Sequence, residues 1–133
     1  MENKILVRKA AMADLKDVMN LNFHLFEKEY KEFDKSLDLE WTYKKGRKYF
    51  KDRITGKGGF VEVAGNNGKV VGYLCGGISK ALPYREKARY AELENMFIVK
   101  EFRGKNIGVK LMKDFINWCK ENKIDYISVR ASS

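Results

Sequence analysis

Proline, histidine and cysteine are scarce in this 133-residue chain: one Pro (Pro83), one His (His24) and two Cys (Cys75 and Cys119). A lone proline beside 11 glycines excludes collagen-like and proline-rich linker sequence. Two cysteines make no disulfide framework, and with a single histidine they make no Cys/His metal site. No apolar run approaches the ~18–20 residues of a membrane span. The opening MENKILVRKA lacks the long apolar segment of a secretory signal. Together these absences predict a cytoplasmic protein with no membrane partner and no metal. Acidic side chains are also outnumbered, 18 against 27 Lys plus Arg, for a net charge of +9.

What is present suits a folded domain. Hydrophobic residues make up 44% and aromatics 13%, which excludes a disordered tail. The length predicts one domain over residues 1–133, with no linker and no internal repeat. Positive charge favours polyanions, either nucleic acid, an anionic membrane or a phosphate-rich small molecule, and composition alone does not choose among them.

Patterning predicts the order β-α-α-β-β-β-α-β. Lys4–Arg8 reads as a short strand. Leu15, Val18, Met19, Asn22, Phe23, Phe26, Tyr30 and Phe33 recur at helical spacing and predict a long first helix with those residues on one face. A second helix is predicted over Leu39–Arg53, carrying Trp41, Tyr43, Tyr49 and Phe50. Strands follow at Phe60–Ala64 and Lys69–Ser79, joined by the hairpin signal Gly65-Asn66-Asn67-Gly68. A charged loop, Lys80–Lys87, leads to a strand at Arg89–Val99. The last helix, to about Asn122, is the cleanest amphipathic segment, with Ile107, Leu111, Met112, Phe115, Ile116, Trp118 and Cys119 predicted inward. Ile124–Arg130 is the final strand. Arg89–Arg130 reads as a parallel β-α-β unit, whose ligand belongs at the carboxyl end of its first strand.

That end reads Glu101-Phe102-Arg103-Gly104-Lys105-Asn106-Ile107-Gly108-Val109-Lys110. The first N–H groups of a helix have no intrahelical partner and, with the helix dipole, attract anions. Gly104 and Gly108 let a ligand come close to the backbone. Asn106 tolerates left-handed geometry better than most residues, and Arg103 and Lys105 add charge. The residues suit a pyrophosphate cradle; a glycine-punctuated turn with solvated cations is the alternative. Neither the P-loop pattern nor the dinucleotide fingerprint is present.

The stretch AELENMFIVKEFRGKNIGVKLM resembles motif A of the GNAT superfamily of N-acetyltransferases, whose signature is [Q/R]-x-x-G-x-[G/A]. Here it reads Arg103-x-x-Asn106-x-Gly108, with asparagine at the family's usual glycine. The order of elements resembles the amino-terminal half of that family, an α/β (α+β) fold on a mixed sheet, so the resemblance spans nearly the whole chain. The family continues with a further helix and two strands, usually carrying a tyrosine near the cofactor sulfur. This chain stops at Ser133, so the expectation is a fold truncated after the fifth strand, with its last strand an exposed edge able to pair with a second copy.

The resemblance implies acetyl-CoA as cosubstrate and an amine as acceptor. It places pantetheine contacts on the backbone of Met96, Phe97 and Ile98. Pyrophosphate contacts fall on Arg103, Gly104, Lys105, Asn106, Ile107, Gly108 and Val109. Glu92 matches the family's strand glutamate as general base, often acting through water. Glu94, two residues on, is a second candidate; a surface ion-pair role is the alternative for both. His24 and the two cysteines read as structural. Trp41, Tyr43, Tyr49 and Phe50, with the Lys80–Lys87 loop, are candidates for an acceptor pocket, core packing being the other reading of the aromatics. Two alternatives to an enzyme remain. One is a GNAT-like module that binds CoA or a partner without catalysis. The other is a basic nucleic-acid-binding domain, for which no recognition motif is present.

Overall fold

The computed structural model describes residues 4–80, 84 and 87–130. Most of the Lys80–Lys87 loop, including Pro83, lies outside them, and so does its predicted share in an acceptor pocket. Strands β1 (Ile5–Lys9), β2 (Gly59–Asn66), β3 (Lys69–Ser79), β4 (Tyr90–Ile98) and β5 (Tyr126–Val129) form one sheet in sequence order. Pairing is antiparallel through β4, and β4–β5 is parallel. Asn67 and Gly68, both at positive φ (52° and 83°), turn the β2–β3 hairpin, as the Asn-Gly pair predicts.

Helices cover both faces. On one lie α1 (Leu15–Glu32), α2 (Trp41–Lys44) and α3 (Gly46–Thr55), whose Leu15, Val18, Met19 and Phe50 pack on Val61, Val63, Tyr73 and Cys75. On the other lies α4 (Ile107–Glu121), where Ile107, Leu111, Phe115 and Trp118 pack on Phe60, Leu74, Ala91 and Leu93. The alternating strand residues are thus shared between two cores. The buried Asn22 ties the first layer to the sheet: its Nδ2 donates to Tyr73 Oη (3.1 Å), and its Oδ1 accepts from Thr42 Oγ1 (2.6 Å).

Three expectations are corrected. The helix predicted over Leu39–Arg53 is two helices broken at Lys45, where the Trp41 ring lies over Gly46 so closely that a Cβ there would be 3.2 Å from it. Met112 and Ile116 are not core residues; they are 36% and 37% exposed, because the sheet covers a narrower stripe of α4 than its apolar residues span. Phe33 follows the end of α1 and is exposed. The β5 edge is exposed along its whole length, as expected.

Candidate functional site

The site is built on a defect in β4. Its register with β3 slips between Cys75/Gly76, which pair with Asn95 and Leu93, so Glu94 is an extra residue in the strand. Ala91 and Leu93 face α4, and so do Met96 and Ile98; the alternation has shifted by one. Glu94 and Asn95 consequently both point to the α1–α3 face, where each meets the Tyr49 hydroxyl.

The same strand loses its neighbour. β5 pairs only with Tyr90–Leu93, and Arg130 N–H closes the ladder on Leu93 C=O (2.9 Å). On the other side Val99 N–H bonds to Val71 C=O. In an antiparallel ladder the bonded sides alternate, so the N–H and C=O of Met96 and Ile98 face away from β3, into the gap that β5 leaves. The gap opens beside α1 into two adjoining cavities of about 290 and 700 Å³, both lined by Leu25, Glu29 and Met96. The smaller reaches Lys28, Phe97, Ile98 and Arg103; the larger reaches Trp41, Tyr49, Glu94, Asn95 and Arg130.

Beside this end of β4 stands α4, close enough that a Cβ on Gly108 would lie 3.3 Å from the Ile98 side chain. Its N-cap, Asn106, is left-handed (φ 65°, ψ 15°) and makes no side-chain capping bond. Lys110 N–H returns to Asn106 C=O, which leaves the N–H groups of Ile107, Gly108 and Val109 without helical partners. Gly104 sits at φ 77° in open space, so the backbone angle requires glycine there. Ile107's side chain is core, so that residue can offer a ligand only its backbone. Lys105 and Val109 are exposed. Arg103 folds back onto the strand: its Nε donates to Ile98 C=O (2.8 Å), and its guanidinium lies 5.3 Å from the centre of the Phe97 ring.

The two carboxylates differ sharply. Glu94 lines the larger cavity and is held by three hydrogen bonds: Arg53 Nε and Nη2 donate to its two oxygens (2.8 Å each), and Tyr49 Oη donates to Oε1 (2.7 Å). Burial opposes the Arg53 charge, but the hydrogen bonds and charge of Glu94 outweigh it and raise the Arg53 pKa. Burial first, then the neighbouring Cys75 and Glu94, push the Tyr49 hydroxyl far up. Burial likewise pushes the Cys75 thiol up to about 12, so it stays protonated and donates to Tyr49 Oη (3.6 Å). Glu92, two residues back, is not among the residues that line either cavity; its partner Arg130 lines the larger one. Its Oε2 pairs with Arg130 Nε (2.8 Å), and the Arg130 side chain is 78% exposed against 15% for Glu92.

Of the candidate aromatics, Trp41 and Tyr49 line the larger cavity, Phe50 is fully buried core, and Tyr43 is exposed with its hydroxyl on Asn20 (2.8 Å). His24 is exposed and pairs with Glu27, and both cysteines are buried. Arg53, Asn95, Leu25 and Glu29 had no motif to mark them. The helical spacing of α1 was the one available signal, and it named the neighbouring Phe26, which also lines the cavity.

The chain is similar to known proteins in sequence and in fold. The sequence profile of the acetyltransferase (GNAT) family matches residues 15–132, and the chain belongs to that family. An uncharacterised N-acetyltransferase of Methanocaldococcus jannaschii is 33% identical over 121 residues, covering 86% of this chain and 48% of the relative. The chain thus spans about half the length of that curated relative. A predicted acetyltransferase of Clostridium acetobutylicum, solved with acetyl-CoA, superposes with a TM-score of 0.81 at 20% identity, over 98% of this chain and 82% of the other. An aminoglycoside N-acetyltransferase solved with CoA gives 0.76 at 12% identity, over 99% and 80%. At such identities these two structures establish the fold.

Proposed function

We propose that the protein is an acetyl-CoA-dependent N-acetyltransferase acting on an amine acceptor, with residues 1–133 forming its GNAT domain. The observation that carries this reading is the unpaired side of β4, which runs from the cavity walled by Glu94 and Asn95 to Ile98 and Arg103, next to the start of α4. Each stretch of this surface fits one part of the cosubstrate. The three free N–H groups of Ile107–Val109, with Lys105 and the open backbone at Gly104, suit a pyrophosphate. The outward N–H and C=O groups of Met96 and Ile98 suit the amides of pantetheine. For the C=O of Ile98 this requires Arg103 to release it, which frees the guanidinium for a phosphate.

Acetyl-CoA supplies an activated acetyl group as a thioester. The amine nitrogen bonds to the acetyl carbon, the C–S bond breaks with its electron pair going to sulfur, and the proton given up by the nitrogen is balanced by the one the CoA thiolate takes from water. The chain's residues meet the demands of that exchange. Met96 N–H, the first outward donor beyond the bulge, stabilises charge developing on the acetyl oxygen. Glu92 takes the proton of the amine through a water: among the described residues its one ion-pair partner, Arg130, is largely in solvent and occupies a single carboxylate oxygen. Glu94, held by Arg53 and Tyr49, fixes the cavity wall. Glu29 and Asp38, beside Trp41 and Phe26, give that wall a negative and aromatic character suited to a cationic amine.

Calorimetry with CoA and a thiol-release assay over several primary amines test the reading. Glu92→Gln should lower kcat/KM by about 100-fold or more while CoA affinity holds. CoA that leaves the amides of residues 104–109 unperturbed, or a short duplex that binds more tightly than CoA at physiological salt, would overturn it.

A further inference from the structure

Arg103 occupies the outward side of β4 at Ile98, where a pantetheine amide would have to pair. Its Nε donates to the Ile98 C=O at 2.8 Å, and its guanidinium lies 5.3 Å from the centre of the Phe97 ring. A bond of that length to an outward-facing oxygen puts the guanidinium on that side of the strand. Arg103 accordingly lines the smaller cavity together with Phe97 and Ile98. The hold is modest. This is the side chain's one hydrogen bond among the described residues, it goes to a neutral carbonyl, and it uses one of five guanidinium donors. Arg103 is also exposed and stands three positions before Asn106, the N-cap of α4, so it belongs to the turn that leads to the free helix N–H groups. One cation thus sits between the strand that suits pantetheine and the helix start that suits a phosphate.

We propose that Arg103 is a donor-selecting latch, which keeps the Ile98 carbonyl until a phosphate of the acyl donor draws the guanidinium away. This rests on the acetyl-CoA reading. A pantetheine thioester without phosphates must break the Arg103–Ile98 bond and gives the guanidinium nothing in exchange. Its apparent affinity is therefore reduced to the fraction of molecules whose latch is open. An exposed hydrogen bond of ordinary strength keeps about four molecules in five closed. A donor that carries phosphate offers the guanidinium a charged, bidentate partner in place of a neutral carbonyl, and so opens the strand as it binds. Phosphate and pantetheine then favour each other, since each binds the same open state. Lys28, from α1, lines the same cavity and keeps a positive charge there whichever way Arg103 turns. The strand thereby selects phosphorylated donors such as CoA over free pantetheine thioesters.

The test uses the whole chain with pantetheine and CoA as probes, the first read by ligand-observed NMR and the second by calorimetry. Arg103→Met keeps the length of the side chain and removes its donors. It should bind pantetheine about fivefold more tightly than wild type and CoA about tenfold more weakly. An arginine that only contacts phosphate would leave pantetheine unchanged, and one that only supports the fold would weaken both ligands; either result overturns the inference. The wild type gives a second readout, which needs no variant to fold. Inorganic pyrophosphate alone should shift the Ile98 carbonyl carbon resonance as the guanidinium leaves it, and an unmoved resonance overturns the inference. If CoA leaves the amides of residues 104–109 unperturbed, both this inference and the reading it rests on fall. If CoA perturbs them but Arg103→Met binds pantetheine no more tightly than wild type, this inference alone falls.

Discussion

Substituting Glu62 should change how stability depends on pH. Glu62 lies on β2, beneath α4, buried among Phe60, Ala64 and Leu74, and its Oε1 has no hydrogen-bond partner among the described residues. The groups facing it are Asp114 and Lys110 from α4 and Lys9 from the paired position on β1; Lys110 is itself bonded to Asp114 (3.0 Å). Burial first, then the facing Asp114 carboxylate, push Glu62 up to about 8, and the two lysines only partly offset this. Asp114 moves the opposite way, lowered chiefly by the hydrogen bond from Glu62.

A carboxyl group raised in the folded state binds its proton more tightly folded than unfolded. Its stabilising effect is complete below the unfolded pKa, near 4.5, and is lost as pH rises towards about 8. One extra bound proton corresponds to a slope of at most ~1.4 kcal/mol per pH unit. The depressed Asp114 contributes stability that is lost only as pH falls below about 4, so it is silent in this window. Glu62→Gln mimics the protonated form, since its amide can donate to Asp114. In urea titrations from pH 5 to pH 9 the wild type should lose stability progressively and Glu62→Gln should not. The variant should be the more stable at pH 9 by about 2–5 kcal/mol, a large part of the margin of a small domain. Parallel curves for the two proteins would show that Glu62 is already ionised in the folded state at neutral pH and would refute the reasoning.

Two further outcomes follow from backbone geometry. Asn106→Gly relieves a left-handed residue whose side chain caps nothing, so CoA should bind at least as tightly; calorimetry showing a loss beyond about tenfold, ~1.4 kcal/mol, would mean the side chain contacts the ligand. Gly77→Ala would drive a Cβ into the Arg53 guanidinium and to within 2.5 Å of Gly58 C=O, which costs about 1–3 kcal/mol in a urea melt and loosens the Arg53 hold on Glu94; an unchanged melt would show that the strand yields freely there.

Local chemistry was readable from the residues alone. Asn67-Gly68 signalled a hairpin, Asn106 was a residue that tolerates the left-handed geometry it adopts, and the 3.6-residue spacing of Ile107, Leu111, Phe115 and Trp118 signalled a helix with a buried stripe. The cationic, glycine-punctuated start of that helix also pointed to an anion, and its motif to the family. Each of these signals depends on residues within a few positions of one another. Packing decided the rest. The break at Lys45 depends on Trp41 lying over Gly46, and the exposure of Met112 and Ile116 on how much of α4 the sheet can cover. The bulge at Glu94 adds one residue to a run whose composition is ordinary strand, and alternation read from the sequence would have put Asn95 on the opposite face. Tyr49 and Arg53 meet Glu94 across 45 and 41 residues of chain. Glu62 meets Asp114 only because β2 and α4 share one core. No spacing rule reaches that far, since those contacts exist only after the sheet has closed and the helices have docked on it.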